Sequence, residues 1–242
     1  MCNVLVTGSK GFLGSTLVKA LHKHRHLDIY EVTRATTDEE LINYLSKVEI
    51  IFHLAGEVRP KSSNSEFELS NVALTENICE ILESKGRNVP IVFASTVHAI
   101  NPVNTYGETK RKAELRLENY SLRNSSSVWI YRLPHMFGPN CKPNYNSVIS
   151  TWMNAIANNE EIVVFDSSTP MTYAYSIDTI KDFESHLGEV STELVQYLSP
   201  TQTYNVTLGE VVNILKGFVG KREDDIDSDF EQKLFDTFQA YI

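Results

Sequence analysis

The chain has 242 residues, 42% hydrophobic and 22% charged, a balance that suits one substantial core or a domain with a small lobe. A net charge of -9 excludes the basic face that nonspecific nucleic-acid binding needs, and no apolar run reaches the roughly 18 to 20 residues of a membrane span. Cys2, Cys79 and Cys141 are odd in number and widely spaced, against both a disulfide framework and a zinc site. A strand-like segment at Asn3 leaves no room for a signal peptide, so the expected compartment is the reducing cytoplasm.

In chain order, Asn3 to Thr7 reads as a first strand and Gly11 to Lys23 as the helix after it. Asp28 to Val32 is a second strand, followed by the capping box Thr37-Asp38-Glu39-Glu40. Glu49 to Leu54 is a buried third strand, Asn71 to Ser84 a helix, and Pro90 to Ser95 a fourth strand. Tyr106 to Leu122 forms a long charged helix and Val128 to Leu133 a fifth strand. Further on come a helix near Ser147 to Asn158, short strands at Ile162 to Phe165 and Thr172 to Tyr175, and terminal helices. This alternation predicts an α/β fold with a doubly wound parallel sheet. The expected division is a dinucleotide-binding domain over 1–140 and a smaller substrate lobe over 141–242, with segments near 160–185 returning to the main sheet. The alternating His22, His24 and His26 suit the end of the first helix, and the acidic run 223–229 reads as a solvated face; no metal site is expected.

The first strand runs into Thr7-Gly8-Ser9-Lys10-Gly11-Phe12-Leu13-Gly14 and then a helix. Glycines in this place allow a tight turn and let the backbone approach a pyrophosphate at the helix N-terminus. The second strand leads to Thr33-Arg34 rather than to an acidic residue, and a guanidinium there suits a 2′-phosphate, hence NADP(H). Glu31 remains the competing ribose ligand if the register shifts. Tyr106 and Lys110 stand four residues apart on one helix face, where an ammonium would lower the phenol's pKa. The fourth strand ends in Ala94-Ser95-Thr96, whose hydroxyls can reach a substrate carbonyl while a tyrosine gives it a proton.

Thr7 to Gly14, His53-Leu54-Ala55-Gly56, Ala94-Ser95-Thr96 and Tyr106 to Lys110 resemble the extended short-chain dehydrogenase/reductase family of sugar-nucleotide epimerases, dehydratases and reductases. Ala55 to Pro60, Lys142 to Ile149 and Val206 to Val212 are similar to the reductase domain of bacterial capsular polysaccharide enzymes, the UDP-2-acetamido-2,6-dideoxy-hexos-4-ulose reductases. The resemblance implies a Rossmann-like domain in which Tyr106 is the general acid, Lys110 the ribose ligand and pKa modulator, and Thr96 the carbonyl-orienting hydroxyl, with Ser95 beside it. It implies Gly8, Lys10, Gly11, Phe12, Leu13 and Gly14 along the pyrophosphate, and Leu54, Ala55 and Gly56 along the adenosine side. Arg34 and Pro134 complete the cofactor set, and Arg59, Ser95, His98, His135, Lys142, Asn144 and Asn146 are candidates for the sugar and its diphosphate.

The expected reaction is reduction of the 4-ketone of a UDP-linked 6-deoxy hexose by NADPH. The dehydratases of the family place an acidic pair beside the threonine, and here the neighbours are Val97 and His98. A cofactor-retaining epimerase or dehydratase, and a non-catalytic nucleotide-binding module, are the rival readings. The capsular enzymes carry a metal-binding cupin domain after the reductase; this sequence shows no histidine cluster of that kind, so epimerisation is expected to be absent or supplied by a separate polypeptide. A homodimer, a UDP-sugar, and a dehydratase or epimerase of the same pathway are the expected partners.

Overall fold

The structure, a computed structural model, describes residues 2–59, 62–145, 147–189, 191–218 and 226–242. In chain order it forms β1 (Cys2–Thr7), α1 (Phe12–Leu21), β2 (Leu27–Val32), α2 (Asp38–Leu45), β3 (Ile50–His53) and α3 (Asn64–Phe67). A π-helical stretch, Glu68–Ala73, leads into α4 (Leu74–Ser84), then β4 (Ile91–Thr96), a 3-10 turn Val97–Ala99, α5 (Thr105–Asn124) and β5 (Val128–Leu133). There follow β6 (His135–Phe137), α6 (Val148–Ala157), β7 (Pro170–Tyr175), α7 (Ser176–Glu184), β8 (Val195–Leu198), β9 (Tyr204–Thr207), α8 (Leu208–Lys216) and α9 (Asp229–Phe238). The chain divides into two compact units, Met1–Leu133 with Ile180–Pro200, and Pro134–Thr179 with Thr201–Ile242.

The first unit holds a six-stranded sheet in the order β2-β1-β3-β4-β5-β8, every neighbouring pair parallel. Its strands read as unbroken apolar runs because both faces are covered: Val4, Leu5, Val6, Ile51, Phe52, Val92 and Phe93 are fully buried. Each such side chain contributes roughly 1.5 to 3 kcal/mol. The chain runs outward from β1 to β2, then returns to the other side of β1 as β3, so the order reverses between β1 and β3. The carboxyl ends of strands at such a reversal are where open α/β sheets bind ligands. Helix starts are set by local chemistry. Thr37 and Glu40 form the expected capping box, and Asn104 accepts the Gly107 N–H at 2.9 Å, which fixes Tyr106 in the first turn of α5.

The second unit holds a three-stranded sheet, β6 parallel to β7 and β7 antiparallel to β9. Its core is aromatic, built on Phe137, Trp152, Tyr173, Phe230, Phe235 and Phe238. Three differences from the sequence reading have physical causes. Ile162 to Phe165 alternates like a strand, with Ile162 and Val164 packed inward and Val163 and Phe165 exposed, but it joins no ladder. Its neighbour β7 already has a partner on each side, β6 and β9. The segment that rejoins the main sheet is β8 at 195–198, not 160–185. The helix expected from Asn71 starts at Asn64, where Ser63 and Glu66 form a capping box.

Candidate active site

The glycine turn follows β1 directly. Gly8 has φ +68°, and a Cβ there would sit 2.8 Å from the Ala55 backbone, so only glycine lets the turn lie against the residues after β3. Gly11 caps α1 without any side-chain hydrogen bond, and the first turn of α1 carries no acidic residue. The N-terminal N–H groups of Phe12, Leu13 and Gly14 therefore face a place that suits an anion. A dinucleotide pyrophosphate fits this cradle. Lys10 lies in the turn and pairs with Glu31 at 3.4 Å, and Arg34, just beyond β2, reaches Glu57 at 3.2 Å.

Leu54, Ala55 and Gly56 follow β3 and are half-buried. A chain of hydrogen bonds fixes them. The Ala55 N–H donates to Thr7 Oγ1 at 3.1 Å, Thr7 Oγ1 meets His53 Nδ1 at 2.7 Å, and His53 Nε2 meets Thr75 Oγ1 at 2.8 Å. Thr75 donates its proton to the Asn71 carbonyl at 3.0 Å, so His53 must be the donor at Nε2 and the acceptor at Nδ1. Burial first, and the Lys110 charge second, push its pKa down to about 3, which keeps the ring neutral.

At the end of β4, Thr96 accepts the His98 N–H at 3.3 Å and lies close enough to Tyr106 for its hydroxyl to favour the phenolate. One turn along α5, Lys110 is 3% exposed, and its Nζ donates to the Ala94 carbonyl at 2.8 Å and lies 4.7 Å from the centre of the Phe93 ring. A Cβ on Gly56 would come within 2.9 Å of both Lys110 Nζ and Asn71 Oδ1, which places the segment after β3 against the same ammonium. Thus Thr96, Tyr106 and Lys110 are gathered as the sequence suggested. The electrostatics differ from expectation. Burial pushes the Tyr106 phenol up to about 12, and the group that pulls it back is Thr96 rather than the lysine. Burial also lowers Lys110 to about 8, against an upward pull from Glu114.

Ser95 does not join this group. Its hydroxyl donates to Glu114 at 2.5 Å, because successive residues of a strand point to opposite faces. Glu114 is fully buried, and although burial alone would raise its pKa, Arg132, Ser95 and Arg111 hold it below the usual carboxylate range. Arg59 is likewise drawn elsewhere: Nε and Nη2 donate to Glu57 at 2.9 and 2.7 Å. His98 is exposed in the turn after β4, its ring 6.2 Å from that of Tyr106.

Pro134, His135, Lys142 and Asn144 belong to the second unit. His135 is exposed on β6 with its ring 5.9 Å from that of Tyr173, and Lys142 is exposed. Asn144 adopts φ +55° and donates its N–H to Thr151 Oγ1 at 2.9 Å. Asn146 lies outside the described residues. Among those residues no cluster of metal-ligating side chains occurs, and no helix is long and apolar enough to cross a membrane.

One participant was invisible in the sequence. Asn71, 1% exposed in the π-helical stretch, accepts the Glu57 N–H at 2.7 Å and donates to the Glu57 carbonyl at 3.2 Å and to Thr109 Oγ1 at 3.1 Å. It ties the segment after β3 to α5 between Tyr106 and Lys110. It lies in the π-helical stretch, a feature that no local sequence pattern announces.

Comparison with known proteins agrees with this geometry. Residues 4–183 match the NAD dependent epimerase/dehydratase family. A UDP-2-acetamido-2,6-beta-L-arabino-hexul-4-ose reductase of Pseudomonas aeruginosa is 31% identical over 99% of this chain and 64% of that protein. The capsular polysaccharide assembling protein CapF of Staphylococcus aureus is 36% identical, with a TM-score of 0.86 over 99% of this chain and 66% of that one. This chain therefore spans slightly less than two thirds of each. A UDP-glucuronic acid 4-epimerase of Bacillus cereus, solved with NAD, shares the fold at a TM-score of 0.85 and 14% identity, over 99% of this chain and 96% of that one. With the glycine turn after β1 and the match over residues 4–183, the chain belongs to the NAD dependent epimerase/dehydratase family.

Proposed function

We propose that this chain reduces the 4-ketone of a UDP-linked 6-deoxy-4-keto hexose, an N-acetylated one, using NADPH. The observation that carries this reading is the placement of Lys110, one turn along α5 from Tyr106, with its Nζ on the Ala94 carbonyl next to Thr96 and the segment after β3 against it. The reductase named for the Pseudomonas relative supports the same chemistry. In this reading Phe12, Leu13 and Gly14 hold the pyrophosphate through their N–H groups with Lys10 beside it, and Arg34 favours a 2′-phosphate. Lys142, Asn144, Asn146, His98 and His135 remain candidates for the sugar and its diphosphate.

When bound, the reduced nicotinamide supplies a hydride to the carbonyl carbon. The protein's part is position and charge. Thr96 orients the carbonyl oxygen by hydrogen bond, and Tyr106 gives that oxygen its proton, so ketone, hydride and proton balance as a secondary alcohol. Lys110 spends one N–H on Ala94, leaves two for ribose hydroxyls, and keeps a positive charge beside the phenolate as it forms. The substrate would come from a dehydratase, in a cytoplasmic pathway.

The test is oxidation of NADPH, and separately NADH, by the purified protein given a UDP-4-keto-6-deoxy-N-acetylhexosamine made in place by a dehydratase. Substrate-dependent NADPH consumption, reduced about 10²- to 10⁴-fold in Tyr106→Phe, is expected. Tightly retained NAD with no net consumption would favour the epimerase reading instead.

A further inference from the structure

Charged groups crowd the carboxyl ends of β2, β1 and β3, and their pairing is uneven. Glu57, beyond the end of β3, is 1% exposed, and both of its oxygens are filled. Oε1 accepts the Val58 N–H, the Arg59 N–H and Arg59 Nε, each at 2.9 Å. Oε2 accepts Arg59 Nη2 at 2.7 Å and Arg34 Nη2 at 3.2 Å. The Arg59 side chain first, then the two backbone N–H groups, overcome burial and hold this carboxyl down at about 2.

Arg34 stands just past β2 and Glu57 just past β3, and β1 lies between those strands. Their ion pair therefore spans the end of β1, where the glycine turn begins. The other carboxylate at this edge, Glu31, is paired with Lys10. A ribose diol is recognised by a carboxylate with lone pairs to spare, and five N–H donors already occupy Glu57. Arg34 presents the opposite case. Its side chain is 82% exposed, and only one of the five donors on a guanidinium goes to Glu57. A long side chain anchored at one edge loses less freedom when it grips a phosphate.

We propose that Glu57 governs the choice of dinucleotide as a positioning residue: anchored by Arg59, it holds Arg34 over the end of β1 as a preformed receptor for a 2′-phosphate. The proposal rests on reading the glycine turn as a dinucleotide site and deepens the NADPH assignment. It also moves Arg59 from the sugar to the cofactor side.

The experiment is calorimetric titration with adenosine 2′,5′-bisphosphate and with adenosine 5′-monophosphate, which needs no turnover. Wild type is expected to bind the bisphosphate at least about tenfold more tightly, and Arg34→Leu to lose most of that preference. Glu57→Gln should cut the preference about three- to tenfold by weakening the bisphosphate alone. In the Arg34→Leu background it should change nothing further, a coupling that a merely structural role would not produce. Glu57→Asp keeps the charge but shortens the reach; it should act in the same direction and serves if Glu57→Gln fails to fold. A Glu57→Gln protein with an unchanged or larger preference, in an otherwise selective enzyme, overturns the role of Glu57 alone. A wild type without preference overturns the 2′-phosphate assignment as well.

Discussion

In the proposed reaction Tyr106 and Lys110 divide the work of the site in a way that their pKa values make testable. The phenol, at about 12, stays protonated across the neutral range and can always donate. Lys110, at about 8, is the group that changes charge within reach of ordinary buffers. Its protonated form is present below that pH and is lost as pH rises through it. The free enzyme's kcat/KM is therefore expected to be level near pH 6 to 7 and to fall above about 8, about tenfold per pH unit, in a pH-rate profile. A level profile to pH 10 would remove Lys110 from the role given to it. Most of this residue-scale picture was legible: Thr96, Tyr106 and Lys110 sit where strand and helix periodicity put them. Glu57 and Asn71 were not, because what matters about them is which distant group they touch.

The elements are joined by buried polar contacts that stabilise only when complete. The chain from Ala55 through Thr7, His53 and Thr75 to Asn71 binds β1, β3 and the π-helical stretch into one block. His53→Leu breaks it twice, and a loss of about 1 to 3 kcal/mol is expected in denaturant unfolding. On the other face of β4, Glu114 holds Ser95, Arg111 and Arg132. Glu114→Ala strips the buried Ser95 hydroxyl and the half-buried Arg132 of their carboxylate, while Arg111 keeps Glu118 and Tyr197, and should destabilise by about 1 to 3 kcal/mol. The strands of the first sheet could be read as apolar runs bounded by turn residues. Ile162 to Phe165 misled for the same reason: alternation reports which side chains pack inward, whereas a strand also needs a free neighbouring edge.

At the scale of the molecule, the described residues include a mainly aliphatic core against the parallel sheet and an aromatic one around three strands. Phe165, fully exposed in a stretch that joins no ladder, should be a site of early chymotryptic cleavage, read by mass spectrometry of the fragments. An intact 160–169 segment after all other cleavage would contradict that. The sequence indicated two parts and a return to the main sheet but set the return near 160–185 rather than at β8, which is short and whose partner strand lies far back in the chain. This interleaving of the two units along the chain bears on synthesis. A ribosome that has released residues up to Leu133 has delivered five parallel strands with the outer edge of β5 open, and the strand that closes it appears only after the whole 134–179 segment has emerged. During that interval the nascent chain exposes an apolar edge able to pair with another copy. Any gene cut made at 133 to isolate the first unit would make the exposure permanent, so an engineered split of this protein has to carry Ile180–Pro200 along with the first segment.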